Sequence, residues 1–130
     1  MEEHVDLLRR GYSAFAEGDL DTAMQFFADD IRWHGPRSNG LPDSGTFHGK
    51  DEVAWMFKEL VRTYGEDLRV TPDEFIVDGM TIVVLGRLEA APRGIYFKVP
   101  WVHVWKFDEG AAARVLTLTD TALVRDALGT

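Results

Sequence analysis

The sequence predicts a single α+β domain over residues 1–130, in which helices come first and a curved antiparallel sheet follows. Apolar residues recur at helical spacing in the first half of the chain, and the period changes to two after Gly65. Turn residues divide the alternating half into successive strands, which favours antiparallel pairing of neighbours. We therefore expect three N-terminal helices to pack on one face of the sheet around an apolar pocket.

The helices are predicted from the spacing of their apolar residues. The first begins near Val5, where apolar side chains recur at steps of three, four and three. Gly18 ends this helix, and Asp19 is well placed to cap a second, shorter one. A third helix starts near Asp51, and Trp55 lies outside its apolar stripe. The two stripes consist of Val5, Leu8, Tyr12 and Phe15, and of Val53, Phe57, Leu60 and Tyr64.

The remaining elements are mainly strands. A short strand, Ile31–His34, precedes a polar loop from Gly35 to Gly49, and a loop of this length in a compact domain is usually functional or mobile. Asp78-Gly79 is a strong hairpin signal between two alternating segments. The later strands are predicted near Leu68–Val77, Thr81–Ala90, Ile95–Phe107 and Arg114–Thr119, followed by a short helix over Thr121–Leu128.

Composition argues against several classes of protein. The net charge of -8 disfavours nucleic-acid binding, since a phosphate backbone requires a basic face. No apolar run reaches the roughly 18 residues of a membrane span, and the acidic first residues differ from a secretory signal. The absence of cysteine removes disulfides and thiolate metal sites and fits a reducing compartment. We expect a cytoplasmic protein that binds neither nucleic acid nor membrane.

The long third strand of the sheet carries the clearest sign of a binding site. Trp101, His103, Trp105 and Phe107 alternate onto one face of this strand. A mostly apolar wall with few polar groups is typical of small-molecule pockets. The alternative is that the tryptophans fill the core and that the histidine is a hydrogen-bonded core residue.

His103 and Asp120 are the candidate acid/base pair. The near-neutral pKa of histidine suits general acid or base catalysis, and Asp120 ends the last strand, where it is equally suited to cap the helix that follows. If Phe107 faced Val115, His103 would face Thr119 and Asp120 would point to the opposite side. A one-residue bulge would bring Asp120 onto the His103 face.

Other residues are candidates for contacts with a substrate. Trp33 and Trp55 are expected at the rim of the pocket, and His34 at its mouth, although a loop histidine without a role is the simpler interpretation. Tyr12 lies on the buried stripe of the first helix, from which its hydroxyl could reach the pocket. Trp101 and Trp105 would form the wall. No metal-binding, phosphate-binding or nucleophile motif is present, so any catalysis is expected to be cofactor-free.

Several segments together resemble nuclear transport factor 2-like domains, the group that includes ketosteroid isomerases and SnoaL-like polyketide cyclases. The resemblance covers nearly the whole chain and implies a cone-shaped fold. Its segments are Ala16-Glu17-Gly18-Asp19-Leu20-Asp21, Phe27-Ala28-Asp29-Asp30-Ile31, Gly45-Thr46-Phe47-His48-Gly49-Lys50-Asp51-Glu52-Val53, Val104-Trp105-Lys106-Phe107-Asp108-Glu109-Gly110 and Asp120-Thr121-Ala122-Leu123-Val124.

The resemblance also has implications for individual residues. Gly35, before Pro36, stands where ketosteroid isomerases carry their proton-shuttling Asp, so that base is absent here. His103 falls near their oxyanion-hole Asp, and Tyr12 lies within one residue of their helix-one Tyr. Asp120 occupies a place similar to that of the acid/base Asp of SnoaL-like cyclases. The Asp-Arg-Asp set of related epoxide hydrolases is incomplete, with Arg87 and Asp120 but no second Asp.

Two functional hypotheses follow. The first is a SnoaL-like enzyme that cyclises, isomerises or hydrates an apolar small molecule without a cofactor, and the second is a non-catalytic domain that binds a ligand or a protein. We also predict a homodimer that forms through the outer face of the sheet. Ile82, Val84 and Leu88 alternate with Val83 and Leu85, so the second long strand is apolar on both faces.

Overall fold

The computed structural model describes residues 2–130, which form four helices and six strands. The helices are α1 (Glu2–Ala16), α2 (Leu20–Ala23), α3 (Lys50–Tyr64) and α4 (Thr121–Leu128). The strands are β1 (Phe27–His34), β2 (Thr46–His48), β3 (Arg69–Asp78), β4 (Thr81–Ala90), β5 (Phe97–Asp108) and β6 (Ala111–Thr119). The predicted α+β class and the order of its elements are confirmed.

The six strands form one open, curved sheet in the order β2-β1-β6-β5-β4-β3. All neighbours are antiparallel except β1 and β6, which are parallel, so the prediction of a purely antiparallel sheet is corrected. Parallel neighbours need a long crossover, and here α3 and four strands intervene between them. The strand β2 was not predicted. It lies within the expected 35–49 loop and pairs with β1, with Trp33 opposite Phe47.

The β5–β6 pairing differs from the predicted register. His103 lies opposite Thr117, and Phe107 opposite Ala112 rather than Val115. The hairpin is tighter than expected, because β6 begins at Ala111 and the turn contains only Glu109 and Gly110, both with positive φ. A bulge after Lys106 then adjusts the pairing.

The core lies between the helices and the inner face of the sheet and has two parts. The larger cluster joins α1 and α3 to the aromatic side chains of β1 and β5, and includes Leu8, Phe57, Trp33, Trp101 and Trp105. The smaller cluster joins the 35–45 loop, α3, the sheet and α4, through Leu41, Tyr64, Ala90, Val99 and Val124. These clusters give the two ends of the site described below.

Candidate functional site

A cavity of about 90 Å³ lies between the helices and the sheet, and both core clusters contribute to its walls. We call its two ends the closed end and the loop end. Buried aromatic and polar side chains line the closed end, whereas residues of the 35–45 loop, α3 and α4 line the loop end. The closed end includes Tyr12, Trp33, Trp101, His103, Trp105 and Thr117, and the loop end includes Leu41, Asp43, Tyr64 and Val124.

At the closed end, the Tyr12 hydroxyl joins two side chains of β5. It lies 2.7 Å from Nδ1 of His103 and accepts a hydrogen bond from Nε1 of Trp105 at 3.0 Å. We assign the hydroxyl proton to Nδ1, because the alternative would leave that proton without an acceptor. The His103 proton then resides on Nε2, which is the donor that the ring can offer to a ligand.

This network is electrically neutral. Burial lowers the pKa of His103 from 6.5 to about 3, and burial also raises the pKa of the Tyr12 hydroxyl far above its ordinary value. His103 is therefore uncharged near neutral pH. In this neutral state, the ring is suited to donate a hydrogen bond to an oxygen atom of a ligand. It is less suited to the general acid or base catalysis that was predicted from the ordinary pKa of histidine.

Stacking fixes the orientation of the His103 ring. Its centroid lies 3.9 Å from that of Trp101, with only 16° between the two planes. Trp101 in turn lies across Gly86 of β4, where a Cβ atom would approach the indole carbons to 2.3 Å. Position 86 therefore needs glycine because the indole packs directly on its backbone.

Three buried polar groups around this network have no partner within residues 2–130. They are the indole nitrogens of Trp33 and Trp101 and the hydroxyl of Thr117. Each side chain belongs to the cavity wall, and each residue is at most 5% exposed. An indole N–H can only donate, and an unpaired buried donor costs about 1–3 kcal/mol. Two donors and one hydroxyl are thus concentrated at the closed end.

The structure does not bring Asp120 to His103. The Asp120 side chain is exposed and accepts a hydrogen bond from the Leu123 backbone N–H at 3.1 Å, which makes it the N-cap of α4. It is not part of the cavity wall. The β5–β6 pairing ends at Thr119, whose hydroxyl donates to the Pro100 carbonyl. Asp120 lies beyond the end of the paired strand, so the bulge in this pairing does not bring its side chain onto the His103 face.

The predicted contact residues divide into two groups. Tyr12, Trp33, Trp101 and Trp105 all line the cavity. Trp33 is only 5% exposed and belongs to the buried wall rather than to the rim where it was predicted. His34 and Trp55 do not line the cavity. His34 contacts the Thr46 hydroxyl through Nδ1 at 3.2 Å where β1 and β2 pair. Trp55 is 57% exposed and packs near Phe47, as expected from its position outside the α3 stripe.

Asp43, at the loop end, was not predicted as a site residue. It is the only carboxylate among the described residues that line the cavity. Loss of solvent around its carboxyl group raises the pKa of Asp43 from 3.8 to about 6. The nearby Asp43 charge also contributes to the raised pKa of Tyr64, although burial is the larger cause.

The 35–45 loop is folded tightly around Asp43. The Gly35 N–H donates to the Gly45 carbonyl at 2.8 Å, and a Cβ atom on Gly35 would lie 1.6 Å from the Asp43 carbonyl oxygen. From α4, the Arg125 guanidinium donates to the Ser38 hydroxyl at 3.2 Å and to the Asn39 carbonyl. The length of the loop was the available sequence signal, but it did not single out Asp43.

Metal-binding clusters and membrane-spanning helices are both absent from residues 2–130. Within residues 2–130, no group of three or more histidine and carboxylate side chains is arranged to hold a metal ion. In the same range, no helix combines the length and the apolar character needed to cross a membrane.

The fold and the cavity define an α+β domain of the nuclear transport factor 2-like class. A family model for the SnoaL-like domain matches residues 8–115. The chain therefore belongs to the SnoaL-like family, as the resemblance predicted. An uncharacterized protein of Mycobacterium tuberculosis is 34% identical over 92 residues, which cover 69% of this chain and 68% of that protein.

Solved structures agree with this assignment. An NTF2-like protein of unknown function from Burkholderia pseudomallei is similar to this chain with a TM-score of 0.89 and 34% identity over the full length of both chains. TerC, crystallised with polyporic acid, is similar with a TM-score of 0.87 and 25% identity, covering 97% of this chain and 98% of TerC.

Proposed function

We propose that the protein binds a flat, apolar small molecule carrying a carbonyl or phenolic oxygen, and that it catalyses proton transfer on this molecule without a cofactor. The main support is the set of buried donors at the closed end, where Trp33, Trp101 and Thr117 lack protein partners. An oxygen atom placed among them would satisfy groups that are otherwise costly to bury. The TerC co-crystal with polyporic acid supports a ligand in the corresponding fold.

The neutral His103–Tyr12 pair suits the second half of this proposal. A reaction that removes a proton next to a carbonyl builds negative charge on the carbonyl oxygen, and a fixed donor stabilises that charge. A neutral imidazole can serve in this way when its pKa is low, because it keeps its Nε2 proton. Tyr12 holds Nδ1 as an acceptor and so determines which nitrogen donates.

Ligand entry requires the cavity to widen. Its volume of about 90 Å³ is below the roughly 300–1,000 Å³ of typical ligand pockets. The unpaired atoms of Trp33, Trp101 and Thr117 are covered in this conformation. A bound ligand would therefore move side chains of the wall, and tryptophan fluorescence should report that movement.

Fluorescence titration with polyporic acid tests the binding proposal. We expect saturable quenching for the wild-type protein and for Trp55→Phe, whose indole is exposed and outside the cavity. Trp101→Phe should raise Kd roughly tenfold, because it removes an indole donor and part of the stacked surface. Failure of the wild type to bind, or equal affinities for both variants, would contradict the proposal.

The alternative is a binding domain without catalysis. Among the described residues of the closed end, neither Tyr12 nor His103 changes its charge near neutral pH, which favours this alternative at that end. The two functions differ at the loop end, where only an enzyme needs a base. Binding of polyporic acid with no proton-transfer activity toward any carbon acid would leave this alternative as the function.

We also propose that a second copy covers the outer face of the sheet. Leu116 and Leu118 of β6 are 41% and 51% exposed, and they lie opposite Val104 and Val102 of β5. An apolar face of this kind is expected to be covered by a partner. Light scattering should give the mass of a dimer at micromolar concentration, and a monomer there would contradict the proposal.

A further inference from the structure

Proton transfer in this cavity needs a base, and the closed end does not supply one. His103 binds protons only at strongly acidic pH, and the Tyr12 hydroxyl is held protonated by burial. Among the described lining residues, Asp43 alone carries a carboxylate. The loop end is therefore where the base must be sought, provided that the function proposed above is correct.

The fold holds Asp43 in place through its backbone. The chain leaves β1 at His34, turns through Gly35 and returns so closely that the Asp43 carbonyl occupies the space of a side chain at position 35. The Ser44 N–H donates to the Leu41 carbonyl at 3.2 Å, and the Gly45 N–H to the Pro36 carbonyl at 3.4 Å. A carboxylate is thus presented by a constrained turn rather than by a freely moving loop.

Asp43 has no charged partner among the described residues, and its carboxyl group accepts a hydrogen bond from its own backbone N–H. No lysine, arginine or histidine in residues 2–130 forms a salt bridge with it. The groups that face the loop end are Tyr64 from α3 and Arg125 from α4. The Arg125 guanidinium binds Ser38 and Asn39 instead, and the Tyr64 hydroxyl carries no charge near neutral pH. Asp120 and Asp19, in contrast, are helix caps whose carboxylates accept hydrogen bonds from backbone N–H groups of the helix that follows each of them.

We propose that Asp43 is the proton acceptor of the reaction, placed by the 35–45 loop to remove a proton from a carbon atom of the ligand. The C–H bond breaks, its proton passes to the carboxylate, and its electron pair moves toward the carbonyl oxygen, which becomes an oxyanion. The Nε2–H group of His103 donates to this oxygen. Return of the proton from Asp43 to the ligand completes an isomerisation without any other reactant.

The raised pKa of Asp43 fits this role. A carboxyl group with a pKa of about 6 is largely ionised at pH 7 and is still a stronger base than an ordinary carboxylate. The substrate class that follows is an apolar, flat carbonyl compound with an acidic C–H bond. Its oxygen would lie toward the closed end and its reacting carbon toward the loop end.

The probe for this proposal is 5-nitrobenzisoxazole, a flat aromatic carbon acid that reacts with a base alone. Proton removal from its ring carbon forms the nitrile and breaks the N–O bond, and the released 2-cyano-4-nitrophenolate is measured by its absorbance. We expect the wild-type protein to catalyse this elimination with a kcat/KM that rises with pH through about 6 and then levels off. Asp43→Asn should lower kcat/KM by roughly 10²-fold or more.

Asp126→Asn is the matched control, because Asp126 is an exposed aspartate of α4 outside the cavity. It should retain the wild-type rate. Binding of 2-cyano-4-nitrophenol, followed by tryptophan fluorescence, separates the two proposals. If 2-cyano-4-nitrophenol binds but Asp43→Asn catalyses the elimination as fast as the wild type, Asp43 is not the base. The same conclusion follows if the wild-type protein gives no catalysis above the buffer rate. If neither this phenol nor polyporic acid binds, the proposed function itself fails.

Discussion

The two ends of the cavity differ in how they acquire their polar groups. At the closed end, Tyr12, His103 and Trp105 project from a helix and a strand, and they satisfy one another while remaining neutral. At the loop end, a single carboxylate is held by a turn and has no counter-charge. Hydrogen bonding is therefore built into the regular elements, whereas the group able to change its charge near neutral pH lies on a loop.

The Tyr12 network and the Asp43 carboxylate contribute to stability in opposite ways. Hydrogen bonds between buried groups stabilise the folded state, because the same groups would be costly if left unpaired. The Asp43 carboxylate lowers stability at neutral pH, because the folded protein holds its proton more tightly than the unfolded chain does. A residue whose perturbed pKa costs stability is a candidate for function.

The largest expected effect on stability is at the closed end. Tyr12→Phe removes the hydroxyl that pairs with both His103 and Trp105, and it leaves two buried groups without a partner. Urea unfolding at pH 7 should show a loss of about 2–3 kcal/mol. The matched control is Tyr96→Phe, which removes only the exposed hydrogen bond to Glu89 and should change stability by less than about 0.5 kcal/mol. Equal losses would show that the closed end is not a coupled network.

A smaller effect of opposite sign is expected at the loop end. Asp43 has a pKa of about 6 when folded and 3.8 in the reference state, so its ionisation destabilises the fold as pH rises through this window. Asp43→Asn should be more stable than the wild type by about 1–2 kcal/mol at pH 7.5, and the gain should disappear near pH 4. His103 is present in both proteins, so its own titration cancels in the difference.

The smallest expected effect comes from the aspartate that the sequence favoured. Asp120→Ala removes the N-cap of α4 and should cost about 1 kcal/mol at pH 7. Urea unfolding of the two aspartate variants side by side checks the contrast directly. A stabilising Asp120→Ala, or a destabilising Asp43→Asn, would reverse the roles assigned to these residues.

Part of the closed end could be predicted from the sequence, because local periodicity determines which side chains of one element share a face. Alternation along β5 predicted that Trp101, His103 and Trp105 share one face, and the helical stripe of α1 predicted that Tyr12 points inward. The hydrogen bonds of Tyr12 with His103 and Trp105 agree with both predictions. Which side of an element these side chains lie on depends only on the period of that element. Trp55 was likewise recognised as lying outside the α3 stripe.

The remaining features depend on contacts between distant parts of the chain. The parallel pairing of β1 with β6 joins segments about 80 residues apart, and no local pattern specifies it. The β5–β6 register depended on a two-residue turn and a bulge. Asp43 reaches the cavity because its backbone packs on Gly35 and Arg125 holds the loop, neither of which spacing could reveal.

The most direct test of the two-ended cavity is the titration of Asp43 and His103 in the same sample. Carbon-13 NMR of labelled carboxyl and imidazole groups, assigned with the Asp43→Asn and His103→Gln variants, gives both protonation curves. The Asp43 carboxyl should titrate with a midpoint near pH 6, and the His103 ring should stay neutral from pH 8 down to pH 4.5. An Asp43 midpoint near 4, or a His103 ring that gains its proton between pH 6 and 7, would contradict the account.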